Sequence, residues 1–204
     1  MFRCLAFAVN FEEGCSMATA PSIDPTVVQK IDLCFAHADT NNDGVVDGSD
    51  ILSFAARIIV ALGEPFGSPK AINLLQVADG WWKGLAALMD TDQNGVIDQA
   101  EYRAHMLKLV EAGAGMEETI RPLAVAIGQL CDRDDDGVIS ADEFGHFQRA
   151  VGSAPESAQV AFDKLDTNGD GFLDVDELVA AFRDFYSGTD PELIGNWLYG
   201  GTAK

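Results

Sequence analysis

Basic residues are scarce in this chain. Lys and Arg number 13 against 33 Asp and Glu over 204 residues, a formal net charge of −20. Phosphate backbones and anionic lipid surfaces are held by clustered cations, so this balance excludes nucleic acid as a partner and favours cations instead. Long apolar runs are also missing: none approaches the roughly 18 residues of a membrane-spanning helix. The four cysteines (Cys4, Cys15, Cys34, Cys131) show neither CxxC spacing nor histidine partners at zinc-like intervals. Reduced thiols are expected, with Cys34 packing on an apolar helix face. No nucleophile elbow and no phosphate-binding glycine loop occurs, and with three histidines in all there is no zinc-type cluster. The chain does not read as an enzyme.

What is present is core material: 48% apolar residues and 9% aromatics, enough for one compact unit or two small lobes. The first residues fit that unit poorly. LAFAV after Arg3 is too short for a signal core and runs into Asn10 and Glu12–Glu13, and MATAPS from Met17 offers an alternative start. Residues 1–20 are therefore expected to be a disordered leader, and the protein to be cytoplasmic.

One twelve-residue pattern recurs four times: DTNNDGVVDGSD from Asp39, DTDQNGVIDQAE from Asp90, DRDDDGVISADE from Asp132 and DTNGDGFLDVDE from Asp166. Each has Asp at position 1, Asp or Asn at 3 and 5, Gly at 6, an aliphatic at 8 and a carboxylate at 12. This is the calcium-loop pattern of the EF-hand. Calcium takes six to eight oxygens at about 2.3–2.6 Å, and the spacing supplies them as the chain curls round the ion. Positions 1, 3 and 5 offer side-chain oxygens: Asp39, Asn41 and Asp43; Asp90, Asp92 and Asn94; Asp132, Asp134 and Asp136; Asp166, Asn168 and Asp170. Position 7 offers a backbone carbonyl, at Val45, Val96, Val138 and Phe172. Position 9 acts directly or through water, at Asp47, Asp98, Ser140 and Asp174. Position 12 swings in from the exiting helix, as Asp50, Glu101, Glu143 and Glu177. The position-6 glycines allow the positive φ that bends the loop back. The position-8 aliphatics (Val46, Ile97, Ile139, Leu173) are expected to bridge neighbouring loops in antiparallel pairs, one with two and three with four.

Helical periodicity flanks every loop, as in Val28, Ile31 and Phe35 before the first and Leu178 and Phe182 after the fourth. Asp24–Pro25, Asp190–Pro191 and Ser153 ahead of Pro155 mark helix starts. GEPFGSPK (63–70) interrupts the helices after loop one, and AGAG (112–115) is the expected joint between lobes. The expected organisation is an N-terminal pair over 21–112, a C-terminal pair over 113–188 and a tail helix or segment over 189–204. The fold class is all-α, four EF-hands in two paired lobes forming one globule, with short antiparallel β-bridges between paired loops.

Loop starts lie 51, 42 and 34 residues apart, so the first pair is lengthened and its second entering helix runs long through Trp81–Trp82. That first pair, together with the tail DPELIGNWLYG (190–200), resembles the sarcoplasmic calcium-binding proteins and their bacterial calerythrin-type relatives. The resemblance spans about residues 24–200. It implies a compact four-hand globule with the lobes packed face to face. All four loops keep plausible ligands, where such relatives commonly carry one degenerate hand.

Up to four calcium sites are therefore expected. Asp50 is one methylene shorter than glutamate, which strains a two-oxygen reach to calcium and points to a weak or magnesium-preferring first site. The loops hold 19 of the 33 acidic residues, so four divalent ions would move the formal charge from −20 to −12. A sensor exposes a methionine-rich groove; here Met89, Met106 and Met116 are scattered, while Phe54, Phe144, Phe147, Phe162, Phe182 and Trp197 read as a permanently filled core. The expected protein is a monomeric intracellular calcium buffer or carrier, with magnesium competing at rest. A sensor acting on an unidentified target protein is the alternative. A carrier of an aromatic ligand, using Trp81, Trp82, His105, His146, Trp197 and Tyr199, is a weaker third.

Overall fold

The computed structural model describes residues 25–112, 116–151, 153, 157–187 and 194–198. Among the described residues eight α-helices occur in order: α1 Pro25–Ala38, α2 Gly48–Ala61, α3 Pro69–Met89, α4 Gln99–Ala112, α5 Met116–Cys131, α6 Ala141–Ala150, α7 Ala158–Leu165 and α8 Val175–Ser187, followed by a 3-10 turn, Ile194–Trp197. Each twelve-residue loop joins an entering helix to an exiting one. The position-8 pairing is as expected. β1 (Val45–Val46) and β2 (Ile97–Asp98) run antiparallel with Val46 opposite Ile97. Ile139 and Leu173 exchange both backbone hydrogen bonds, at 2.9 and 2.8 Å.

The helix starts follow local chemistry. α3 opens at Ser68–Pro69, inside the interrupting segment: Ser68 Oγ accepts from the Ala71 N–H at 3.1 Å, and Pro69 stands where no N–H is needed. The start expected behind Ser153 falls on residues 154–156, which lie outside the described residues. α7 begins at Ala158 behind Ser157, and the Ser153 hydroxyl is buried without a partner. Asp24, Asp190 and the 113–115 joint lie outside the described residues, as does the 1–20 leader. The described part of the tail is a 3-10 turn, Ile194–Trp197.

Both pairs share one hydrophobic core. Helix α3 packs on α5, α2 on α6 and α1 on α8, so each EF-hand pair lays apolar faces against the other. Ile31, Ile58 and Leu74 from the first pair join Ile127, Phe144, Phe147 and Phe182 from the second, every one at most 2% exposed. At about 1.5–3 kcal/mol per buried side chain, this cluster holds the pairs together. Phe162 is buried as well, Phe54 and Trp197 pack against the core half-buried, and Met89 and Met106 are buried rather than displayed. Cys34 and Cys131 are free, and burial drives both thiols far above their ordinary pKa. Among the described residues no helix is long and apolar enough to cross a membrane.

Candidate metal centres

The four loops repeat one internal hydrogen-bond scheme. The position-1 carboxylate accepts from the backbone N–H groups of positions 5 and 6: Asp39 from Asp43 (3.2 Å) and Gly44 (3.0 Å), Asp90 from Asn94 (3.1 Å) and Gly95 (3.0 Å), Asp132 from Asp136 (3.2 Å) and Gly137 (3.0 Å), Asp166 from Asp170 (3.2 Å) and Gly171 (2.9 Å). The position-3 oxygen of Asn41, Asp92, Asp134 and Asn168 accepts from the N–H of position 5. The position-5 oxygen of Asp43, Asn94, Asp136 and Asp170 accepts from Val45, Val96, Val138 and Phe172. These bonds use backbone donors, so the oxygens are aimed while keeping lone pairs for a cation. The position-6 glycines sit at φ of +88° to +90°, where a side chain is strained.

Position 12 ties the two ends of each loop. Glu101 accepts from Thr91 N–H (2.8 Å) and hydroxyl (2.7 Å) with one oxygen and from Asp98 N–H (3.2 Å) with the other. Glu177 repeats this with Thr167 and Asp174, and Glu143 with the Arg133 N–H and Ser140. Asp50, despite its shorter arm, reaches Thr40 N–H (3.1 Å), Thr40 Oγ1 (2.8 Å) and Asp47 N–H (3.0 Å), and is 1% exposed. Position 9 completes the start of the exiting helix: Asp47 and Ser140 cap α2 and α6 in reciprocal capping boxes with Asp50 and Glu143. Asp98 and Asp174 likewise accept from the Glu101 and Glu177 N–H groups, both at 2.8 Å.

Two clusters of carboxylates stand out among the described residues. Oxygens of Asp90, Asp92 and Glu101, and of Asp132, Asp134 and Asp136, lie within 4.8 Å of one another. Ligands on opposite sides of one calcium, each at about 2.4 Å, are separated by about that distance, so the donor sets fit a hard divalent cation. Hydrogen bonding keeps key groups charged. The Thr91 hydroxyl and N–H hold Glu101 below the ordinary glutamate pKa, and the Ser49 hydroxyl does the same for Asp47. Burial pushes Glu143 upward, but N–H donors from Ser140 and Arg133 and the Ser140 hydroxyl outweigh it, and its pKa is lowered.

Three features escaped the sequence reading. Position 4 is left-handed in every loop, at Asn42 (φ 59°), Gln93 (59°), Asp135 (62°) and Gly169 (73°); only the glycine signalled it. The threonine at position 2 of loops one, two and four donates its hydroxyl to the position-12 carboxylate, a role that the recurring DT dipeptide could have suggested. Loop three has Arg133 there, with its guanidinium 3.4 Å from His146 Nε2. Loop three also receives Lys70 from the first turn of α3. The ammonium bonds the Asp132 backbone carbonyl and pairs with Asp135 at 2.5 Å.

A family model described as an EF-hand domain pair matches residues 129–183, and one described as an EF hand matches residues 87–107. Calerythrin of Saccharopolyspora erythraea is 31% identical over 164 residues, covering 79% of this chain and 93% of that protein. Clytin of Clytia gregaria is 30% identical over 188 residues, covering 88% and 91%. Among solved structures, a Streptomyces coelicolor calcium-binding protein presented as a basis for prokaryotic calcium-mediated regulation matches with a TM-score of 0.69 at 26% identity, covering 80% of this chain and 99% of that one. A sarcoplasmic calcium-binding protein from amphioxus matches with a TM-score of 0.71 over 89% and 100% of the two chains; at 17% identity it shares the fold.

Proposed function

Because the chain belongs to the calerythrin-like EF-hand calcium-binding proteins, we propose that it buffers or carries calcium at up to four sites, with magnesium competing at rest. The family binds ions and is not enzymatic. The ligands are the position 1, 3, 5, 7, 9 and 12 groups of the four loops, from Asp39 to Asp50, Asp90 to Glu101, Asp132 to Glu143 and Asp166 to Glu177.

The observation that carries the buffer reading is the single filled core. Groove-forming aromatics such as Phe144, Phe147 and Phe182 are at most 1% exposed and shared between the two pairs. Opening a groove would have to break that shared packing. The same packing disfavours the ligand-carrier alternative. The apolar cavity lined by Cys34, His37, Trp81, Tyr102 and Phe182 has about 40 Å³ of free space, room for a water or two and not for an aromatic heterocycle.

Loop one is the weak or magnesium-preferring site in this account. Asp50 uses both oxygens within its loop as the three position-12 glutamates do, but its arm is one methylene shorter and offers an ion one oxygen more readily than two. The sensor alternative is favoured by the regulatory role given to the Streptomyces coelicolor relative. Calorimetric titration of the metal-free protein with calcium, with and without millimolar magnesium, tests the site assignment. Three or four sites are expected, with magnesium lowering the apparent calcium affinity of some of them. Fewer than three sites, or indifference to magnesium, would count against it.

A further inference from the structure

The tail turn is built into the C-terminal pair by contacts of an unusual kind. Gly195 lies directly against the backbone of α8: a Cβ at this position would sit 2.2 Å from the Phe185 nitrogen and 2.3 Å from the Ala181 carbonyl oxygen. These are backbone atoms and cannot step aside, so only glycine allows the approach. From α6, Gln148 reaches the same turn. Its side chain is 0% exposed, and Nε2 donates to the carbonyls of both Trp197 (3.1 Å) and Leu198 (2.6 Å). Leu198 is 0% exposed, and the turn packs on α7 as well as α8. A buried glutamine is costly unless its polar atoms are used, and here the Oε1 is left without a partner while both amide hydrogens serve the tail. Nothing in calcium ligation calls for this arrangement.

We infer that Ile194–Leu198 is an intramolecular latch, with Gln148 as its clasp, that occupies the apolar groove between α6, α7 and α8 and so keeps the C-terminal EF-hand pair from presenting that groove when ions bind. This rests on the buffer reading and explains how a four-hand protein stays silent toward targets. The groove has its own occupant, and any partner would have to displace a turn that combines a backbone-close glycine with a buried leucine.

The test uses the full chain in two variants. Gln148→Met keeps the shape and removes both donated hydrogen bonds; Gly195→Ala keeps the clasp and denies the close approach. Far-UV circular dichroism and thermal melts establish that each variant folds cooperatively, and if Gly195→Ala does not, Gln148→Met alone decides. At saturating calcium, hydrophobic-dye fluorescence is expected to rise at least threefold over the wild type in the folded variants. In Gly195→Ala, whose own tail carries the change, a synthetic peptide of the wild-type residues 188–204 added in trans should bring it back down. Unchanged dye signal in the folded variants, or a rise in Gly195→Ala that the peptide leaves untouched, overturns the latch. A calcium-dependent rise in the wild type itself would instead overturn the buffer reading, so the two failures are distinguishable.

Discussion

Replacing Glu143 by Gln removes one negative charge from loop three and leaves its size unchanged. The carboxylate is 8% exposed and accepts from the Arg133 N–H at 2.7 Å, the Ser140 N–H at 2.8 Å and the Ser140 hydroxyl at 2.7 Å. In the ion-free protein the amide oxygen can keep the Arg133 bond, while the NH2 group turns a donor toward the Ser140 N–H. The Ser140 N–H bond is lost, the Arg133 bond becomes neutral, and the Ser140 hydroxyl can turn to accept from the amide, a cost of about 1–2 kcal/mol. The effect on calcium is larger. A unit charge at about 2.5 Å from a divalent ion contributes about 3 kcal/mol even at the dielectric of water, roughly a hundredfold in affinity. Calcium titration should therefore show one site weakened about a hundredfold, a smaller loss at its partner loop four through the Ile139–Leu173 bridge, and loops one and two unchanged. Loss spread evenly over all sites, or no loss at all, would refute both the ligand assignment and the pairing.

Other perturbations separate the remaining elements. Asp50→Glu should raise calcium affinity at loop one and reduce its preference for magnesium, while inserting a methylene into a 1%-exposed site costs the ion-free fold about 1–3 kcal/mol; unchanged ion selectivity in competition titrations would contradict the short-arm argument. Lys70→Met removes a cation bound to loop three, so calcium affinity there should rise about threefold at low salt and the gain should shrink as salt screens it; a drop in affinity would mean that Lys70 positions the loop instead. His105 has its pKa lowered by burial and then by Lys108, and its Nε2 is buried without a partner. The folded state therefore binds fewer protons than the unfolded chain, so the stabilising contribution is complete above the ordinary histidine range and is lost as pH falls from about 6.5 through the lowered folded pKa. Denaturant midpoints of the metal-free protein should fall between pH 7.5 and 5.5, and His105→Gln should flatten that slope.

Much of this molecule was legible because its chemistry is local. Twelve consecutive residues carry nearly every group of each loop, and the position-8 aliphatics and position-6 glycines have one physical role each, so loop geometry and pairing followed from spacing alone. The long entering helix α3 was visible in the interval between loops one and two. What depended on distant residues was not visible. Gln148 and Trp197 are 49 positions apart, and Lys70 and Asp132 are 62 apart; no periodicity connects them. Asp50 was read only as a short arm. Its full burial and its bonds to both ends of loop one depend on how α2 packs, which spacing does not show.

The most direct test of the buffer account is titration of the metal-free protein with calcium in millimolar magnesium, followed by the fluorescence of a hydrophobic-surface dye. The shared core and latched tail predict a fall or no rise as the sites fill. A clear calcium-dependent rise would show a groove opening, contradict the buffer account, and make the protein a sensor.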